Sequence, residues 1–153
     1  MKNPVDASVL IYAHVTGYAQ TLRMALRGIG VRKSFLATNL TQVMEGFSSV
    51  GPDVLVIYVD SGAKEDHGLQ MLNFVRRSKQ SPNRRIPVIA VSQARDIGTI
   101  QAVSNSGAQD YVLYPVAGDV LLKKIHTART STRPFIDTPD YVGPDRGPPK
   151  KAD

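Results

Sequence analysis

Three continuous apolar runs constrain this chain more than any other feature. Val9-Leu10-Ile11-Tyr12, Val54 to Val59 and Val88-Ile89-Ala90-Val91 are rich in β-branched residues and lack polar alternation. Unbroken runs of this length are strands covered on both faces, as in a parallel sheet sandwiched between helices. Ser34-Phe35-Leu36-Ala37 and Asp110 to Leu113 are weaker strand candidates. Helical spacing fills the gaps. Leu22, Leu26 and Ile29 share one face, closed by Gly28 and Gly30. Asn39 can cap a helix carrying Leu40, Val43, Met44 and Phe47. Leu69, Leu72 and Val75 repeat after Gly68, Ile97, Ile100 and Val103 end at Gly107, and Val120, Leu121 and Ile125 form a last helix. These starts and stops follow capping and glycine rules.

The order is five βα units in succession, which predicts right-handed crossovers and a doubly wound parallel α/β sheet over residues 1–130. Residues 131–153, STRPFIDTPDYVGPDRGPPKKAD, hold five of the ten prolines and no helical period. They read as an extended or disordered C-terminal tail, although Phe135, Ile136, Tyr141 and Val142 are too apolar for an inert linker and suit docking into grooves.

Composition narrows the chemistry. The chain has no cysteine, which removes disulfides, zinc ribbons and thiol catalysis. No apolar run reaches the roughly 18 residues of a membrane span, and the N-terminus reads as a first strand, not a signal peptide, so a cytoplasmic, membrane-free protein is expected. The net charge is +6, and residues 131–153 carry four basic and four acidic groups that cancel. The excess lies in residues 1–130 and is densest at Arg76, Arg77, Lys79, Arg84 and Arg85. Those four arginines could bind an anion through their forks, or could be a solvated helix end. The patch lacks interleaved aromatics, so no nucleic-acid partner is expected.

In a doubly wound sheet ligands bind beyond the carboxyl ends of the strands. The residues there are Ala13 and His14, Tyr58 to Asp60, Ser92, and Tyr114-Pro115. Three stretches resemble the receiver domain of bacterial two-component response regulators: Val9 to Gly30, Pro52-Asp53 with the run that follows it, and Gly107-Ala108-Gln109-Asp110-Tyr111-Val112-Leu113-Tyr114-Pro115-Val116. The resemblance covers roughly residues 7 to 130. It implies the flavodoxin-like fold with strand order 2-1-3-4-5.

The resemblance also implies where phosphorylation chemistry would sit, and the sequence departs there. An acid pair that holds magnesium falls on Ala13 and His14, the phosphoacceptor falls on Tyr58, and the lysine falls on Tyr114. Ser92 alone keeps the expected hydroxyl. Asp60 lies two residues past Tyr58 and either opens a loop or slips into the acceptor position. Tyr58 and Tyr114 either plug the pocket or wall it for a flat ligand. Ser92 caps a helix or fills the remnant cleft, and His14 has no second histidine assured nearby. Tyr111 occupies the switch aromatic position, which implicates the face of helix four, strand five and helix five in contacts with a partner or a second copy.

The expectation is a stand-alone pseudo-receiver, not an enzyme. It would need no metal or cofactor and would bind a histidine kinase or another signalling protein. Two alternatives are a sensor of a small anionic ligand such as a cyclic dinucleotide, and an atypical response regulator phosphorylated on Asp60.

Overall fold

The structure, a computed structural model, describes residues 3–60 and 66–146. A short turn at Pro4–Asp6 leads into β1 (Ser8–Tyr12), followed by α1 (Thr16–Gly28), β2 (Lys33–Ala37), α2 (Leu40–Val50) and β3 (Val54–Tyr58). Then come α3 (His67–Arg77), β4 (Val88–Ser92), α4 (Ile97–Asn105), β5 (Asp110–Leu113) and α5 (Gly118–Thr130). The five strands are parallel in the order β2-β1-β3-β4-β5, the flavodoxin-like topology expected.

The three continuous runs are the three central strands, buried at every position. Alternate residues serve opposite faces. Val9, Ile11, Val54, Val56, Tyr58, Ile89 and Val91 pack under α1 and α5 against Leu22, Leu26, Leu121 and Ile125. Leu10, Tyr12, Leu55, Ile57, Val88 and Ala90 pack under α2, α3 and α4 against Val43, Leu72, Val75 and Val103. Each fully buried aliphatic side chain contributes about 1.5–3 kcal/mol. The weaker runs are the edge strands β2 and β5, each with partly exposed positions.

Local chemistry sets the helix starts. Asn39 accepts from the Gln42 amide, Asp66 from Leu69, and Asp96 from Thr99, each satisfying an orphan N–H of the first turn. Asp53 ties the strands together at their amino ends: its Oδ2 accepts from the Ser8 amide at 2.9 Å and meets Arg129 of α5 at 3.6 Å. At the other end Gly68 lets α3 approach β3, since a Cβ there would lie 2.1 Å from the Tyr58 carbonyl oxygen.

The described part of the tail is neither loose nor a lone extended peptide. It folds back as an antiparallel hairpin, β6 (Phe135–Asp137) and β7 (Val142–Pro144), seated against α3 and the α4–β5 turn. All of β7 is buried. Gly107, at φ 100°, makes room for it: a Cβ there would lie 2.1 Å from the Val142 carbonyl oxygen. Arg146 secures the end by donating to the carbonyls of Ser104 and Ala108.

Candidate functional site

The carboxyl ends of the strands carry a cluster of tyrosines where the resemblance implies charged groups. Tyr58, the last residue of β3, is buried and stacks on Tyr18 of α1, with ring centroids 4.0 Å apart and planes 7° from parallel. Tyr114 stands edge-on to both rings, at 5.2 and 5.4 Å. Stacked and edge-to-face pairs at these distances are favourable beyond their burial. Gln93 Nε2 donates to the Tyr58 hydroxyl at 2.8 Å. Burial, the largest cause, pushes the Tyr58 phenol up to about 12, so it stays neutral across the physiological range. These rings pack against one another at the strand ends. The Tyr114–Pro115 peptide bond is cis.

Asp60 does reach this cleft. It lines a space of about 210 Å³ with Tyr18, Tyr58 and Gln93. Burial, then the Asp66 carboxylate, pushes its carboxyl up, while His67 and His14 draw it down. Its Oδ2 is buried without a hydrogen-bond partner among the described residues. Asp66 helps to hold this corner, because its Oδ1 accepts from the amides of both Asp60 and Leu69.

Two expectations about single residues need correction. His14 does have a second histidine beside it: the imidazole of His67 stacks on it, centroids 3.6 Å apart and planes 12° from parallel. His67 is the first residue of α3, which swings it over the end of β1. Ser92 does not cap a helix. It is fully buried and its Oγ accepts from the Ala94 amide at 3.2 Å, a local turn, while Asp96 caps α4.

Ala13 is buried and offers no ligand atom. Among the described residues no group of three or more His, Asp or Glu is arranged to hold a metal ion. Tyr111 is half-buried on β5, and its hydroxyl donates to the Ala94 carbonyl at 2.6 Å, which pins the ring to the β4–α4 loop. Tyr18 and Gln93 were missed by the sequence reading. Tyr18 had a signal: it stands one helical turn before Leu22 and two before Leu26 and extends their buried stripe to the strand ends.

The arginine patch lies at the opposite end of the sheet and is not an open surface. Arg76 is fully buried. Its guanidinium donates to the carbonyls of Gly107, Arg84 and Ile86 and to Gln109 Oε1, at 2.7–3.0 Å. Desolvation lowers it to about 10, which leaves it charged at neutral pH. Arg84 forms a two-pronged pair with Asp137, at 2.7 and 3.0 Å. Arg77 reaches the Pro139 carbonyl at 3.3 Å. The Phe135 ring receives two guanidinium groups, Arg76 at 5.3 Å and Arg85 at 5.1 Å. Thus each of these four arginines, read from sequence as a possible anion site or a solvated helix end, contacts the chain's own hairpin.

No family model matches the chain. A two-component response regulator-like protein of Arabidopsis thaliana, APRR1, is 31% identical over 81 residues, which is 53% of this chain and 13% of that protein. The chain therefore spans a small part of that relative's length. Solved structures agree over more of the chain. The receiver domain of a modulated diguanylate cyclase from Desulfovibrio desulfuricans superposes with a TM-score of 0.62 at 22% identity, covering 80% of this chain and 93% of that one. A response regulator from Thermotoga maritima gives 0.62 at 22%, covering 82% and 98%. The chemotaxis protein CheY4 of Vibrio cholerae gives 0.64 at 19%, covering 80% and 98%. At these identities the likeness establishes the receiver-domain fold. Among the described residues no helix is long and apolar enough to cross a membrane.

Proposed function

We propose that this chain is a pseudo-receiver, a non-catalytic cytoplasmic module of bacterial two-component-type signalling that acts by binding other proteins. One observation carries the reading. Tyr58, in the acceptor position, is buried under Tyr18, held by Gln93 and flanked by Tyr114 in the lysine position. A neutral phenol cannot take the acceptor's role with magnesium, and no cation at 114 is there to stabilise charge on a transferring phosphoryl group. The binding surface in this reading is the face of α4, β5 and α5. It exposes Ile97, Leu113 and Val120, at 71%, 40% and 44%, apolar groups of the kind that mark contact sites. A histidine kinase, another signalling protein or a second copy would dock there, beside the pinned Tyr111.

A rival reading draws on Asp60, whose carboxylate lines the cleft and could accept a phosphoryl group. It lacks the acid pair, replaced by Ala13 and His14, and the lysine. Amide NMR with Mg²⁺ and beryllofluoride separates the two. The proposal expects no change at Asp60, Ser92 or Tyr111, and no added phosphoryl mass after acetyl phosphate. Shifts at those residues, with a phosphoryl mass lost in Asp60→Ala, would sink the proposal and establish the rival.

A further inference from the structure

The hairpin meets the arginine cluster in a pattern that has the chemistry of a bound ligand. Phe135 and Asp137 are two apart on β6 and so share one face of the strand, about 7 Å from each other. The flat ring lies against the guanidinium groups of Arg76 and Arg85. The carboxylate sits in the fork of Arg84. A planar ring on guanidinium faces and an oxyanion in a guanidinium fork, a short arm apart, are also the two ends of a mononucleotide: base and phosphate. Guanidinium forks match phosphate as well as carboxylate.

We propose that the surface formed by Arg76, Arg84 and Arg85 is a binding site for a mononucleotide, held shut by the chain's own Phe135 and Asp137. The two strands of the hairpin are anchored unequally, which allows the exchange. β7 is buried against Gly107 and secured through Arg146. β6 is partly exposed, and Asp137 through Asp140 are exposed. The Arg84–Asp137 pair is itself open to solvent, at 36% and 43% exposure. Exposed pairs of this kind are weak, and three-residue strands in a two-stranded ribbon are marginal. β6 can therefore peel away while β7 stays seated. Charge favours the incoming group: Arg84 pairs with the single negative charge of Asp137, and a phosphate dianion brings a second one to the same fork. The site lies at the other end of the sheet from the tyrosine cluster and does not rest on the pseudo-receiver reading.

Calorimetric titration of the full chain with GMP and AMP tests this. Asp137→Asn keeps the side chain's size while removing the competing charge, and it should bind a mononucleotide roughly fivefold more tightly than wild type. Phe135→Leu, which vacates the ring position, should also bind more tightly. Arg84→Gln in the Asp137→Asn background should abolish binding. Inorganic phosphate should bind Asp137→Asn more weakly than either nucleotide, because it leaves the ring position empty. The proposal is overturned if neither Asp137→Asn nor Phe135→Leu binds more tightly than wild type. It is equally overturned if Arg84→Gln leaves binding intact, or if phosphate binds as well as the nucleotides.

Discussion

The two ends of the central sheet solve opposite problems. At the carboxyl end neutral rings pack together: Tyr58 and Tyr114 meet Tyr18, and one carboxylate, Asp60, is left with a buried oxygen lacking a partner among the described residues. At the amino end a full cation, Arg76, is buried with three carbonyls and an amide oxygen around it and no carboxylate among its hydrogen-bond acceptors. The first end is packed with neutral rings and holds one carboxylate oxygen that lacks a partner among the described residues. The second keeps a buried ion and satisfies it with neutral dipoles. Charge that is fully hydrogen-bonded can be structural, whereas a carboxylate with one oxygen buried away from any donor costs stability.

Substitutions can break this contrast, and the largest effect is expected at Arg76. Arg76→Met fills much of the same volume but strips donors from Gly107, Arg84, Ile86 and Gln109. The loss should be about 3–5 kcal/mol by denaturant unfolding, since buried acceptors are left unpaired. A loss below about 1 kcal/mol would mean that water or the hairpin replaces the guanidinium.

At the other end the sign reverses. Asp60→Asn should stabilise the protein slightly at neutral pH, by less than about 1 kcal/mol, because it removes a partly buried charge that solvent still screens. The Asp60 carboxyl is raised in the folded state, so the folded protein holds this proton more tightly than the unfolded chain does. Stability of wild type relative to Asp60→Asn should therefore fall as pH rises from below the unfolded value of 3.8 through the raised folded one, and be flat above it. A difference that does not change across that window would remove Asp60 from the list of strained groups.

The smallest effect sharpens the contrast from the hairpin side. Asp137→Ala breaks an exposed pair and should cost less than about 1 kcal/mol in stability, with a dependence on salt. A larger loss would mean that β6 is as firmly held as β7.

The sequence made the inner sheet plain and its edges less so, for a physical reason. β1, β3 and β4 have both faces covered and need unbroken apolar runs, whereas β2 and β5 have partly exposed positions and can mix polar residues in. Spacing alone carried Tyr58, Ser92 and Tyr114 to the strand ends. It could not carry the contacts between distant segments: the stacking of His14 on His67, or of Tyr18 on Tyr58. Arg76 misled because charge clusters suggest surface. Its place one turn after Leu72, beside Val75, put it on the buried stripe of α3, and that outweighs its neighbours' charge. The tail's apolar content correctly pointed to docking, but pairing between Phe135–Asp137 and Val142–Pro144 depends on a turn with no strong hairpin dipeptide.

The seat of Arg76 also bears on how the protein is made. Its acceptors come from residues 84 to 109, and its aromatic cover comes from Phe135, with Val142 against Gly107. A chain leaving the ribosome exposes this guanidinium long before those covering residues exist. The α3–β4 corner can therefore reach its final dryness only after residue 146 has emerged. Nascent chains halted between residues 131 and 146 should remain more open to protease at residues 76–86 than completed ones.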